Sequence, residues 1–145
     1  MRTKEFLTRL DHPRIVAAIA AAERKTSGEI RVFLQRGELA GDALPLAEKK
    51  FLELGMNKTA ARNAILILVA PRAQKFAVIG DEGIHQKCGP EFWAQLVESM
   101  RLHFKNEAFT DALVHGIEGA GERLAKHFPR SPDDRNELPN DILES

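Results

Sequence analysis

The apolar positions of the chain change period several times, and each change predicts an element. Ile15, Val16, Ile19 and Ala22 recur at spacings of three and four, which predicts an amphipathic helix. Asp11 ahead of Pro13 marks its start, because a side-chain oxygen can cap free N–H groups and proline's fixed φ suits the first turn. Gly28 stops it after Lys25. From Glu29 the period falls to two. Ile30, Val32 and Leu34 alternate with Arg31, Phe33 and Gln35 until Gly37, the pattern of a strand with one strongly apolar side. Pro45 opens a second helix with Leu44, Ala47, Phe51 and Leu54 on one face, ending at Gly55. Ala64-Ile65-Leu66-Ile67-Leu68-Val69-Ala70 is apolar throughout, as expected of a strand buried on both faces. Pro71-Arg72-Ala73-Gln74 turns the chain, and Lys75-Phe76-Ala77-Val78-Ile79 returns as an antiparallel partner.

The returning strand runs into Gly80-Asp81-Glu82-Gly83, which reads as an acidic turn. Gly89-Pro90 then opens a third helix bearing Phe92, Trp93, Leu96, Val97, Met100 and Phe104. A fourth covers about 110–127, with Leu113, Ile117, Ala120 and Leu124 on one face. Gly116, Gly119 and Gly121 inside it each cost about 1 kcal/mol relative to alanine, so close packing against a neighbour is expected to compensate. Residues 129–145 carry three prolines and many charges and read as an extended, partly disordered tail to a single domain over 1–128. A strand-helix-strand crossover joins parallel strands and the hairpin adds an antiparallel one. The predicted fold is α/β, a three-layer α/β/α sandwich with a mixed central sheet.

Composition narrows the partners. The 145 residues are 43% hydrophobic and 29% charged, ordinary for one domain with a core. Lysine and arginine total 21, as do aspartate and glutamate, so no global field draws the protein to nucleic acid or an anionic membrane. The longest apolar run, 64–71, is far short of the ~20 residues of a membrane span, and residues 1–10 lack a signal-peptide core. Cytoplasmic location is the expectation. Cys88, the single cysteine, permits no internal disulfide and no cysteine-based zinc site.

The predicted topology gathers chemistry at one sheet edge. The end of the antiparallel strand lies beside the beginnings of the two parallel ones, so Asp81 and Glu82 are expected to meet Ser27, Gly28 and Glu29 and also Arg62 and Asn63. Asn106 and Glu107, at the joint of the last two helices, are further candidates for the same edge. Carboxylate, amide and hydroxyl oxygens suit a hard cation such as Ca²⁺ or Mg²⁺. The competing reading is a solvated polar turn, with Asp and Gly chosen for backbone tolerance.

Other constellations carry less. His12, His85, His103, His115 and His127 have no HExxH-type spacing. Cys88 with His85 three residues earlier is weak evidence for a nucleophile, and an inert thiol is favoured. Gly116, Gly119 and Gly121 lie inside a helical pattern, so they do not form a dinucleotide fingerprint, and no phosphate-cradling Gly-rich loop followed by lysine is present. Lys49-Lys50 reads as a solvated helix face.

In order and spacing, four segments together resemble the TPM domain. They are Thr26-Ser27-Gly28-Glu29-Ile30-Arg31-Val32, then Leu54-Gly55-Met56 with Arg62-Asn63-Ala64-Ile65-Leu66, then Lys75 through Ile84, and Phe104-Lys105-Asn106. The resemblance covers about 14–128 and is closest to a short, stand-alone bacterial branch with an Asn-Glu-Leu-Pro tail, here Asn136-Glu137-Leu138-Pro139. It implies an α/β/α sandwich, divalent-metal binding in some members and an acid phosphatase role in plant relatives. Asp81, Glu82 and Asn63 match the family's site best. Where the wider family commonly has Asp-Asn-Gly, this chain has Arg62-Asn63-Ala64, a cation in place of an anion, and Ala108 replaces a frequent acidic residue beside Glu107.

Two functions follow as expectations. The first is a metal-binding or protein-interaction module in which Ca²⁺ or Mg²⁺ orders the acidic loop at 80–83 and the loops around it, with a protein partner as a further candidate. The alternative is a metal-assisted acid phosphatase acting on phosphomonoesters, with the cation polarising a phosphoryl oxygen, Arg62 holding the phosphate, and Asp81 or Glu82 holding metal or activating water. One carboxylate pair and no evident nucleophile favour the first.

Overall fold

The structure, a computed structural model, describes residues 1–130 and 142–144. Among these described residues six helices, α1 (Thr3–Thr8), α2 (His12–Glu23), α3 (Ala43–Glu53), α4 (Glu82–Cys88), α5 (Pro90–Lys105) and α6 (Phe109–His127), surround four strands. The strands are β1 (Glu29–Leu34), β2 (Ala64–Ala70), β3 (Lys75–Gly80) and β4 (Ile142–Glu144), ordered β3-β2-β1-β4. β1 runs parallel to β2 and β4, and β3 is antiparallel to β2.

Strand alternation builds two cores. Ile30, Val32, Leu34, Ile65, Ile67, Val69 and Val78 face one way, into a cluster with Ile15 and Ile19 of α2, Leu96 and Met100 of α5, and Leu113, Ile117 and Leu124 of α6. Phe33, Ala64, Leu66, Leu68 and Ala77 face the other, beneath Ala43, Ala47 and Phe51 of α3 and Met56 of the 3-10 turn Met56–Lys58. Every residue of β2 is buried, as its uninterrupted apolar run requires. The result is the expected α/β/α sandwich on a mixed sheet. Among the described residues no helix is long and apolar enough to cross a membrane.

Three features differ from, or add to, the sequence expectations. Thr3–Thr8 forms α1, too short to show a helical period, and its Phe6 is buried with its ring 4.9 Å from that of Phe109. The acidic turn is no turn: β3 runs through Gly80, Asp81 caps α4, and Glu82 is the first residue of that helix. In the expected tail, Ile142–Glu144 pairs with Val32–Leu34 as β4, while 131–141, including the Asn-Glu-Leu-Pro stretch, and Ser145 lie outside the described residues.

The α6 glycines are explained by close approach. A Cβ on Gly121 would lie 2.7 Å from the Cβ of Ala22, and one on Gly116 would lie 2.7 Å from the Met100 sulfur. Helices α2 and α5 therefore sit closer to α6 than any side chain at these positions would allow.

β1 also carries charge into the interior. Glu23, Glu29 and Arg31 are 5%, 2% and 3% exposed. Glu23 ends α2 and its Oε2 accepts from the Ile30 N–H at 2.9 Å. Burial pushes its carboxyl pKa up to about 8, and neighbouring Glu29 adds to the rise. Burial likewise lowers the Arg31 pKa.

Two outcomes follow. Gly121→Val is expected to overpack the α2–α6 contact and destabilise the domain by about 1–3 kcal/mol in urea denaturation; unchanged stability would mean the helices are not in close contact. Folded Glu23 holds a proton that the unfolded chain releases near pH 4.5. Its stabilising contribution is complete below that pH and is lost as pH rises toward about 8. Glu23→Gln should therefore lose less stability between pH 5 and pH 8 than the parent protein, and parallel pH profiles of the two would contradict the assignment.

Candidate functional site

The site is built by the loop entering β2 and the end of β3. Gly55, at φ 70°, ends α3, and the chain passes through the 3-10 turn to Arg62, whose φ of 53° lies in the left-handed region. Few non-glycine residues adopt that conformation without a compensating contact. Arg62 has two. Its N–H donates to the Thr59 carbonyl at 3.2 Å, and its own carbonyl accepts from Gly83 N–H at 2.8 Å. Gly83 is essential to this approach, because a Cβ there would come within 2.5 Å of the Arg62 carbonyl oxygen.

Asp81 is fixed from several sides. Its N–H donates to the Ala64 carbonyl at 2.9 Å, which continues the β2–β3 ladder by one residue. Oδ1 accepts from Glu82 N–H at 2.8 Å and caps α4. The guanidinium of Arg62 closes a bidentate pair, Nε to Oδ2 at 2.7 Å and Nη2 to Oδ1 at 2.8 Å. Nη1 of Arg62 lies 3.4 Å from Glu82 Oε1. The Asp81 side chain is 5% exposed, that of Arg62 41% and that of Glu82 62%. Hydrogen bonding to Asp81 raises the Arg62 pKa further above its already high value.

Asn63, also buried, donates from Nδ2 to Ser27 Oγ at 3.2 Å. Ser27 is held in turn by its N–H donating to the Phe128 carbonyl at 3.0 Å. The structure thus brings Asp81, Glu82, Arg62, Asn63 and Ser27 to one edge. Glu29 pairs with Ala64 across β1–β2 and joins the buried charges around Glu23. Glu107 is elsewhere: it pairs with Arg9 at 3.1 Å and lines a cavity beside Val69, Ala70 and Pro71, at the opposite end of β2. The joint between α5 and α6 meets the carboxyl end of β2, so Glu107 cannot join Asp81.

The donors at the edge are hard oxygens and fit Ca²⁺ or Mg²⁺ in kind. Their number is small. Among the described residues no group of three or more histidine, cysteine, aspartate or glutamate side chains is gathered for an ion. Both Asp81 oxygens are already engaged by Arg62, which neutralises the carboxylate where a cation would be needed.

Sequence reasoning singled out Arg62 as a departure from the family pattern but did not foresee its bidentate pair. The signal available was Arg62 at the entry to one strand and Asp81 at the exit of its antiparallel neighbour. The lone thiol takes no part. Cys88 ends α4, half-buried, with its pKa raised by burial, and His85 stacks on Trp93 with ring centroids 6.0 Å apart.

The comparisons agree with this architecture. A family model described as the TPM domain matches residues 1–123. A solved structure, the NMR structure of BA42 protein from the psychrophilic bacterium Bizionia argentinensis, superposes with a TM-score of 0.84 at 41% sequence identity, covering 92% of each chain. A search among curated proteins finds no match. With 123 of its 145 residues matched by the family model and its sandwich shared with that neighbour, the chain belongs to the TPM domain family.

Proposed function

We propose that this TPM domain is a binding module that takes Ca²⁺ or Mg²⁺ weakly at the Asp81 edge, in competition with Arg62. The observation that carries this reading is a nearly buried carboxylate, fixed by its cap to the Glu82 N–H, whose cationic partner is a half-exposed side chain. Asp81, with Glu82 and Asn63 beside it, would hold the cation, and Ser27 supports Asn63 from behind. A cation must displace the bidentate guanidinium, which sets the affinity low. A protein partner reading the bound form would meet Glu82 and the Arg62 side chain, the exposed parts of the edge. As the lone thiol, Cys88 is consistent with action in the reducing cytoplasm.

The phosphatase reading has less support here. Arg62, its phosphate clamp, has its Nε and Nη2 donors on Asp81 and its Nη1 toward Glu82. Among the described residues no third histidine, cysteine, aspartate or glutamate joins Asp81 and Glu82 to share the tasks of holding a metal and activating water.

Titration with Ca²⁺ and Mg²⁺ into the millimolar range, followed by amide chemical shifts, tests the proposal. Residues 62–64 and 81–83 are expected to move together. Arg62→Ala should tighten binding roughly tenfold by removing the competitor, and Asp81→Asn should abolish it. An Arg62→Ala protein whose amides stay still at ~10 mM metal would end the cation reading. In parallel, p-nitrophenyl phosphate should show no metal-dependent turnover; turnover that disappears with Asp81→Ala would favour the phosphatase.

A further inference from the structure

The opposite end of the sheet holds a cavity of about 820 Å³ that the acidic edge does not involve. Asp81 adjoins Ala64, the first residue of β2, whereas the cavity is walled by Val69, Ala70 and Pro71 at its end. Seven residues of strand put these places about 20 Å apart. The volume is in the range of small-molecule sites, roughly 300–1,000 Å³. Its location, outside the carboxyl end of a parallel strand, is where open α/β sheets commonly hold ligands.

The walls have a definite chemistry. Four phenylalanine rings run along it: Phe76 and Phe104 have centroids 4.8 Å apart, Phe104 and Phe109 6.4 Å, and Phe109 and Phe6 4.9 Å. Such a row rewards a planar apolar body, which can offer faces and edges to the ring quadrupoles. Charge is arranged on the rim. Arg101 and Lys105 stand four residues apart on α5, hence on one face of it, and both line the cavity. Of the other charged groups, Lys75 donates to the Gly41 carbonyl and Glu107 is engaged by Arg9. Arg101 contacts Glu98 at 3.4 Å, but both side chains are 63% exposed, so that pair is weak and readily exchanged. Asp42 and Glu107 in the wall oppose a heavily charged guest. One negative charge is accommodated better than several.

We infer that this cavity binds a small amphipathic monoanion, an aromatic ring system carrying a single carboxylate or sulfonate. The rings lie along Phe76, Phe104 and Phe109, and the acid group meets Arg101 and Lys105. The inference is independent of cation binding at Asp81.

The probe is 8-anilinonaphthalene-1-sulfonate, titrated into the native, full-length protein while amide shifts are followed. Saturable one-to-one shifts are expected at 69–77 and 101–109. N-phenyl-1-naphthylamine, the same ring system without its sulfonate, should bind at least about fivefold more weakly, as should the sulfonate to Lys105→Glu, the scale of one lost charge-assisted contact. Lys58→Glu, an equal charge change away from the cavity, should leave binding unchanged. Non-saturable shifts, shifts centred elsewhere, or equal affinity for the two probes and for the Lys105→Glu protein would overturn the assignment.

Discussion

The entry to the central strand depends on one ion pair. Arg62 precedes β2 by two residues and Asp81 follows β3 directly, so their bidentate contact clamps the open end of the β2–β3 hairpin. The clamp is reinforced through the backbone. Asp81 donates to Ala64, Gly83 donates to Arg62, and the Asp81 carboxylate caps α4. A left-handed arginine, a glycine without room for a Cβ and an N-cap aspartate are three local choices that make sense only together. In such an arrangement the guanidinium does at the Asp81 carboxylate what a bound cation would do, supplying the opposite charge and the directional contacts from within the chain.

The two ends of the sheet consequently differ in character. At the amino ends of β1 and β2 polar groups are held in specific pairs, Asn63 with Ser27, Asp81 with Arg62, and Glu23 Oε2 with the Ile30 N–H, while Glu23 Oε1 is buried without a hydrogen-bond partner among the described residues. At the carboxyl end of β2, aromatic rings and exposed basic groups border an open cavity. Paired charge stabilises a particular loop geometry, whereas partly exposed aromatic surface offers binding energy to a guest.

Much of this fold was legible in the sequence because its core elements have strong periods. The unbroken run 64–70 announced a strand covered on both faces, and two helical layers do cover it. The glycines of α6 announced close helix contacts, and Ala22 and Met100 supply them. The edge that unites Asp81, Asn63 and Ser27 was legible from strand directions alone. What escaped was set by tertiary contacts. Helix α4 is only seven residues long, too short for a period to distinguish it from a turn, and its cap was read as a turn residue. Glu107, a further candidate for the Asp81 edge, lies at the opposite end because the direction of the α5–α6 joint is decided by packing against Phe6 and Phe76. Glu23 and Arg31 gave no sign of burial, since charged residues at a helix end and on a strand's alternate face ordinarily remain in water.

The central claim, that Arg62 serves Asp81 as a built-in counter-cation, is tested most directly by observing the arginine side chain itself. In metal-free buffer at neutral pH, the Nε–H proton of Arg62 should give a resolved NMR signal, protected from solvent exchange and coupled by cross-relaxation to the Asp81–Glu82 backbone. Asp81→Asn should return it to the rapid exchange of exposed arginines. A wild-type Arg62 signal already indistinguishable from those of the exposed arginines would contradict the account.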